Sequence, residues 1–255
     1  MTTNGTMPPI AAWQVASMRV TAFPSEVVPT ERLSSWWDDI VGVSPETVVS
    51  RPKVGQYQAQ GEFEGRRLAL QIQPGRIEWS VSPLVKVAEE DPDILVGPFP
   101  DVLASLSKVT VHWIPSAPAL TRFAFGVTLV QPVESVRSGY VLIQRYLPKV
   151  VVDPDGSSDL FYQINRQRTS TSQIEGLRIN RLSKWSVQIA RRVTMTLGGD
   201  AVATRTLGEE VGCRLELDIN TGQDFASALP AERLGALLQE LSDLGSEIAQ
   251  RGDIP

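Results

Sequence analysis

The chain has 255 residues, of which 42% are hydrophobic and 21% charged, and its formal net charge is -5. This composition is typical of a globular protein and excludes a disordered chain, a collagen-like repeat and a disulfide scaffold. Cys213 and His112 are the only cysteine and histidine, which excludes an intrachain disulfide, a thiolate cluster and a two-histidine metal site. We therefore expect no metal and no cofactor.

In the first half, hydrophobic periodicity predicts the order strand, helix, antiparallel meander, helix. Apolar and polar residues alternate in three successive segments between residues 56 and 82, which indicates three strands with one buried and one solvated face. The expected elements are a loose polar leader over residues 1–10, a strand over 12–22, a helix from Thr30 to Val41, the meander, a helix that begins at Pro100 and a strand over 109–114.

The second half is predicted to repeat this order. The expected elements are a strand over 120–130, a helix from Val133 to Leu147, strands over 160–165, 177–180, 185–193 and 211–219, a hairpin or loop at Gly198-Gly199-Asp200, and a helix from Leu234 to Ile248.

A local echo supports an internal duplication. Leu70-Gln71-Ile72 precedes Trp79-Ser80-Val81 as Leu177-Arg178-Ile179 precedes Trp185-Ser186-Val187. The sequence thus predicts an α+β fold of two similar strand–helix–antiparallel-meander–helix halves, with the helices packed on one face of the sheets. The halves span residues 11–115 and 116–255, and they form either two units or one continuous domain.

A basic stretch is the first candidate site. Residues 160–206 contain eight basic and two acidic residues, whereas residues 207–255 contain three basic and ten acidic ones. Basic strands with interspersed aromatics are typical of phosphate binding. The alternative is neutralisation within the chain, by Glu216 and Asp218 on a neighbouring strand. The candidate residues for binding a phosphate or a partner are Arg166, Arg168, Arg178, Arg181, Lys184 and Arg192.

The outer face of the first meander is the second candidate, as an interface. It carries Gln56, Gln58, Gln60 and Gln71, and such a neutral hydrogen-bonding face is suited to a protein partner.

Three segments give the chain a resemblance to a known family. They are Pro8-Pro9-Ile10, the run Phe161-Tyr162-Gln163-Ile164-Asn165-Arg166, and the run Leu215-Glu216-Leu217-Asp218-Ile219-Asn220. With the closing amphipathic helix, they resemble a sporadically distributed, uncharacterised family of bacterial proteins of similar size. The resemblance implies a bacterial, soluble, accessory protein and carries no activity.

The predicted function is a non-catalytic interaction role. Glycine-rich phosphate loops, dinucleotide fingerprints and nucleophile elbows are absent from the sequence, which favours a protein without catalytic activity. We expect a homo-oligomer or the partner of another protein, and the alternative is nucleic-acid or phosphate-ligand binding through residues 166–192. No apolar run approaches the roughly 20 residues of a membrane helix, so we expect a cytoplasmic protein without a membrane partner.

Overall fold

The computed structural model describes residues 7–28, 30–84, 94–198, 201–225 and 227–254, without the side chains of residues 30–34 and 192–207. This part of the chain forms a mixed fold of four α-helices and one antiparallel sheet of eleven strands. None of these helices is long and apolar enough to span a membrane. Residues 1–6 of the predicted leader lie outside the described residues, as do Gly199 and Asp200 of the predicted hairpin or loop. The helices are α1 (Thr30–Val41), α2 (Phe99–Trp113), α3 (Val136–Tyr146) and α4 (Leu234–Arg251).

The sheet joins strands from both halves of the sequence. The strands are β1 (Gln14–Pro24), β2 (Thr47–Arg51), β3 (Gln56–Phe63), β4 (Arg66–Gln73), β5 (Arg76–Ser82), β6 (Gly97–Pro98), β7 (Leu120–Val133), β8 (Phe161–Asn165), β9 (Arg168–Thr169), β10 (Arg178–Gly198) and β11 (Ala201–Thr221). Nine of them follow the order β2-β3-β4-β5-β1-β7-β11-β10-β8, while β6 pairs with β1 and β9 with β10. Val20 of β1 lies opposite Phe125 of β7 at the junction of the halves.

The apolar and polar residues of the meander lie on opposite faces of the sheet, as predicted. Ile77, Trp79 and Val81 of β5 are at most 1% exposed, whereas the intervening Glu78 and Ser80 point to the other side of the sheet. Strands β3, β4 and β5 pair in sequence order. The predicted meander is therefore confirmed.

All four helices pack on the apolar face of the sheet. In α1, Trp37 stacks on Trp79 with ring centroids 6.1 Å apart, and in α3 Tyr146 stacks on Trp185 at 5.3 Å. Gly245 of α4 lies against Phe125, and α2 contacts β1 and β5. The predicted placement of helices on one face is confirmed. No helix within the described ranges packs on the opposite face, which we call the open face; its residues include Arg19, Thr21, Gln58, Gln71, Glu78, Ala124, Gly126, Lys184, Glu216, Asp218 and Asn220.

The predicted local structure is wrong in part. Residues 109–114, predicted as a strand, belong to α2, because Val109 and Trp113 continue its buried face. The strands predicted at 177–180 and 185–193 are parts of the single strand β10, and β2 was not predicted. The local echo does not join equivalent positions, because its first copy spans β4 and β5 while its second lies almost entirely in β10.

Candidate functional site

The end of α4 gathers three of the six predicted basic residues. Arg166 donates two hydrogen bonds to Asp253, with Nε–Oδ1 and Nη2–Oδ2 distances of 2.5 and 2.7 Å. The Tyr162 hydroxyl donates another to Oδ2 at 2.8 Å. The Asp253 side chain is only 7% exposed. Its hydrogen bond with Arg166 holds the pKa of the Asp253 carboxyl below its usual range.

Glu247 of α4 forms ion pairs with the other two basic residues, Arg168 and Arg181. Its Oε2 lies 3.0 Å from Nη1 of Arg168 and 3.4 Å from Nη2 of Arg181. Arg181 is 1% exposed, and burial lowers the pKa of its guanidinium. A buried charge is tolerated only with a partner, so these contacts are best explained as a tie between α4 and strands β8 to β10. We call this set the C-terminal network: Tyr162, Arg166, Arg168, Arg181, Glu247 and Asp253.

The remaining predicted basic residues lie elsewhere because side chains alternate along β10. Arg181 faces the helices, whereas Arg178 and Lys184 lie on the open face. Lys184 Nζ is 3.8 Å from Oε2 of Glu216, one of the two acids expected to neutralise the basic stretch. The side chain of Arg192 lies outside the described residues. The structure therefore does not bring the six residues together on one surface.

The four predicted interface glutamines share the open face near the edge strand β2. Gln58 lies opposite Gln71 in the β3–β4 ladder, and its Nε2 donates to Gln60 Oε1 at 3.5 Å. Gln56 faces Arg51 of β2. The five residues of β2 are all exposed.

A further candidate lies at the centre of the open face. Strands β1, β5, β7 and β11 line a cleft of about 180 Å³. Three arginines from three of these strands, Arg19, Arg76 and Arg122, stand on its rim, opposite Asp218 and Asn220 of β11. We call it the arginine cleft.

Glu78 holds two of the three arginines in place. Its Oε2 is 3.7 Å from Arg19 Nε, forms an ion pair with Arg76 and accepts a hydrogen bond from Thr21 Oγ1 at 3.0 Å. The Glu78 side chain is 12% exposed. Thus one largely enclosed carboxylate pairs with two guanidinium groups.

Arg122 is held differently. Its Cζ lies 4.8 Å from the centre of the Phe23 ring, which is within the range of a cation–π contact. Its Nε is enclosed and has no hydrogen-bond partner in the described part of the chain.

The floor of the cleft is built from small residues. A Cβ at position 126 would lie 2.9 Å from Arg19 Cζ, closer than van der Waals contact allows. Gly126 therefore lets the Arg19 guanidinium lie flat over the sheet.

A row of amides leads across the open face into the cleft. Asn165 Nδ2 donates to Asn180 Oδ1, Asn180 Nδ2 to Asn220 Oδ1, and Asn220 Nδ2 to Asp218 Oδ1, at 3.0, 3.0 and 2.9 Å. Each amide thus orients the next, and the last one occupies one oxygen of Asp218.

The sole histidine and cysteine lie away from the cleft. His112 is exposed near the end of α2. Cys213 is buried, its Sγ lies 3.2 Å from the Gly139 carbonyl oxygen, and burial raises the pKa of its thiol to about 12. Over the described ranges, no three His, Cys, Asp or Glu side chains are grouped to hold a metal ion.

Comparison with protein families, curated proteins and solved structures finds no match to this chain. The resemblance to a bacterial family, and the origin and accessory role that it implies, therefore stay predictions.

Sequence reasoning missed the arginine cleft because its residues come from four strands between positions 19 and 220. One signal was present: Arg19, Arg76 and Arg122 each occupy a polar position in a strand whose alternate residues are apolar. Alternation predicts that each faces away from the core, but the strand order that joins them is not encoded locally.

Proposed function

We propose that this chain is a non-catalytic interaction protein that binds a second copy of itself, or a different protein, through the open face. The observation that supports this is the packing of all four helices on the opposite face. Nine neighbouring strands thus present a polar surface that no described helix occupies.

The size of the open face suits a stable protein interface. Nine strands at a spacing of about 4.8 Å span roughly 38 Å, and six residues along each strand cover about 20 Å. The product, about 800 Å², is what each partner contributes to an interface of standard size.

The chemistry of the face suits a partner that also exists free. Amides and partly paired charges dominate it, and interfaces between independently soluble proteins are about as polar as the rest of the surface. The four predicted interface glutamines and the row of amides offer hydrogen bonds, and the arginine cleft lies between them.

The test compares two identical substitutions on opposite sides of the molecule. Gln71→Arg places a cation on the open face, whereas Gln239→Arg places one on the exposed side of α4. Native mass spectrometry of protein purified gently at low salt should show a homo-oligomer of the 27.9 kDa chain or a discrete protein adduct. Gln71→Arg should abolish this species, and Gln239→Arg should retain it.

Two results would contradict the proposal. One is a wild-type chain that is monomeric without an adduct at every concentration tested. The other is an assembly that survives Gln71→Arg but is lost with Gln239→Arg, which would place the interface on the helices.

Nucleic-acid or phosphate-ligand binding through residues 166–192 is the alternative function. Exposed Arg178 and half-exposed Lys184 favour it, whereas Arg166, Arg168 and Arg181 are engaged with acids near the end of α4. It predicts a heterogeneous extra mass that nuclease removes, and binding that weakens steeply with salt. Arg178→Glu should abolish such binding without unfolding the protein.

We also infer that residues 11–115 and 116–255 are similar halves of a cytoplasmic protein. Outward from the junction, the strands run β1-β5-β4-β3 on one side and β7-β11-β10-β8 on the other, which supports the similarity of the halves. In an experimental structure, superposing these two sets of strands should also bring α1 onto α3 and α2 onto α4.

A further inference from the structure

The arginine cleft has donors that its own residues do not use. Arg19 and Arg76 share a single carboxylate, that of Glu78, and Arg122 packs on Phe23 with no hydrogen-bond or ion-pair partner among the described residues. A guanidinium has five N–H donors, and these contacts use only a few of those in the cleft. The cleft is therefore short of hydrogen-bond acceptors.

The charge of the cleft limits what can fill it. Three arginines face the two carboxylates of Glu78 and Asp218, which leaves one positive charge. A monoanion would bring the net charge of the cleft to zero, whereas a dianionic phosphate would make it negative, next to the carboxylate of Asp218. The net charge of -5 on the whole chain also opposes a polyanion.

The volume gives a second limit. At about 180 Å³ the cleft is smaller than the roughly 300–1,000 Å³ of sites that enclose a whole drug-sized ligand. It fits one functional group with a short stem. Arginine pairs with planar carboxylates through two parallel hydrogen bonds.

We propose that the arginine cleft binds a carboxylate group, with Arg122 and Arg19 as its hydrogen-bond donors. The inference rests on the proposed function, because it names the chemical group that the open face recognises. The carboxylate comes either from an acidic side chain of a polypeptide or from a small free carboxylic acid.

The test uses the full chain and no protein partner. Sodium acetate, inorganic phosphate, and two blocked tripeptides that differ only in a central glutamate or glutamine are titrated at constant ionic strength. The backbone amide resonances of Thr21, Ala124 and Gly126 are followed by NMR. We expect saturable shifts with acetate and with the glutamate peptide, and none with the glutamine peptide.

Substitutions locate the binding. Arg122→Gln should weaken acetate binding at least about tenfold, since it removes a charge-assisted pair. Arg67→Gln, on the same face but outside the cleft, should leave it unchanged. If Arg122→Gln lowers the melting temperature of the protein, Arg19→Gln, at a side chain that is 41% exposed, takes its place.

Each outcome decides something. Tighter binding of the glutamate peptide than of acetate supports an acidic side chain, and equal or tighter binding of acetate supports a free carboxylic acid. Tighter binding of phosphate, unsaturable shifts, or shifts that survive both arginine substitutions overturn the carboxylate site. That failure would leave the Gln71→Arg result standing, so the two proposals fail separately.

Discussion

The C-terminal network and the arginine cleft contain the same charged groups in opposite settings. Each has three arginines and two carboxylates. In the network, α4 supplies Glu247 and covers Arg181 completely, and Asp253 takes both hydrogen bonds of Arg166. In the cleft no described helix lies above the arginines. The comparison teaches that the same charge content can tie a helix to neighbouring strands or stay open to solvent, depending on whether an element of the fold covers it.

The largest expected effect comes from breaking the end of the network at Gly252. Its φ is 79°, and a Cβ there would overlap the carbonyl oxygen of Tyr146. Gly252→Ala should therefore lower the free energy of unfolding by about 3 kcal/mol or more, measured by urea denaturation. Gly235→Ala is the control, because a Cβ there would meet no atom of the described part of the chain. Equal unfolding midpoints for the two variants would show that the end of α4 is not held as described.

Asp253→Asn should have the next largest effect. It keeps the shape of the side chain but removes the charge that pairs with Arg166, so we expect a loss of about 2 kcal/mol in urea denaturation. Asp155→Asn is the matched control, because the Asp155 and Arg137 side chains are 71% and 63% exposed. Surface pairs of this kind contribute little to stability, so the control should denature like the wild type.

The same carboxylate gives that variant a pH test. The pKa of Asp253 is lowered in the folded protein, so its contribution is present above the unfolded value of about 3.9 and is lost as pH falls through the folded value. The unfolding free energy of the wild type should thus fall more steeply below about pH 4 than that of Asp253→Asn. Parallel curves would count against the Arg166–Asp253 pair.

The smallest effect on stability is expected in the arginine cleft, at Gly126. Gly126→Ala pushes the Arg19 guanidinium off the cleft floor, but this guanidinium is the mobile end of a half-exposed side chain. The free energy of unfolding should change by less than about 0.5 kcal/mol, while acetate binding weakens several-fold by NMR titration. Gly208→Ala, where a Cβ meets no atom of the described residues, should alter neither. Loss of stability without loss of binding would contradict the role of Arg19.

The sequence was a good guide to the fold wherever burial imposed a regular period. The meander, β7, α1, α3 and α4 were predicted from such periods. Residues 109–114 were predicted as a strand because Val109, Thr110 and Val111 favour strands. They belong to a helix because Val109 and Trp113 share one buried helical face with Val102 and Leu106. The single strand β10 was predicted as two strands because Arg181 and Ser183 interrupt its apolar face at buried positions.

The candidate sites were less predictable because they depend on pairing between distant strands. Alternation predicted that the glutamines share a face, which the β3–β4 register confirms. Alternation did not reveal that Arg181 points inward. An arginine at an apolar position of the pattern can equally mark a bulge or the end of a strand, and the sequence does not distinguish these cases. The cleft requires β1 to lie between β5 and β7, a choice that no local pattern specifies.

The hydrogen bond from Trp13 Nε1 to the Ala249 carbonyl oxygen spans 236 positions of the chain. At about 5–20 residues per second of synthesis, Ala249 is made roughly 12–47 s after Trp13. During that interval β1 also waits for β7, which begins about a hundred residues later. The hydrogen bond that joins Trp13 to α4 can therefore form only late in synthesis, after every strand of the sheet has been made.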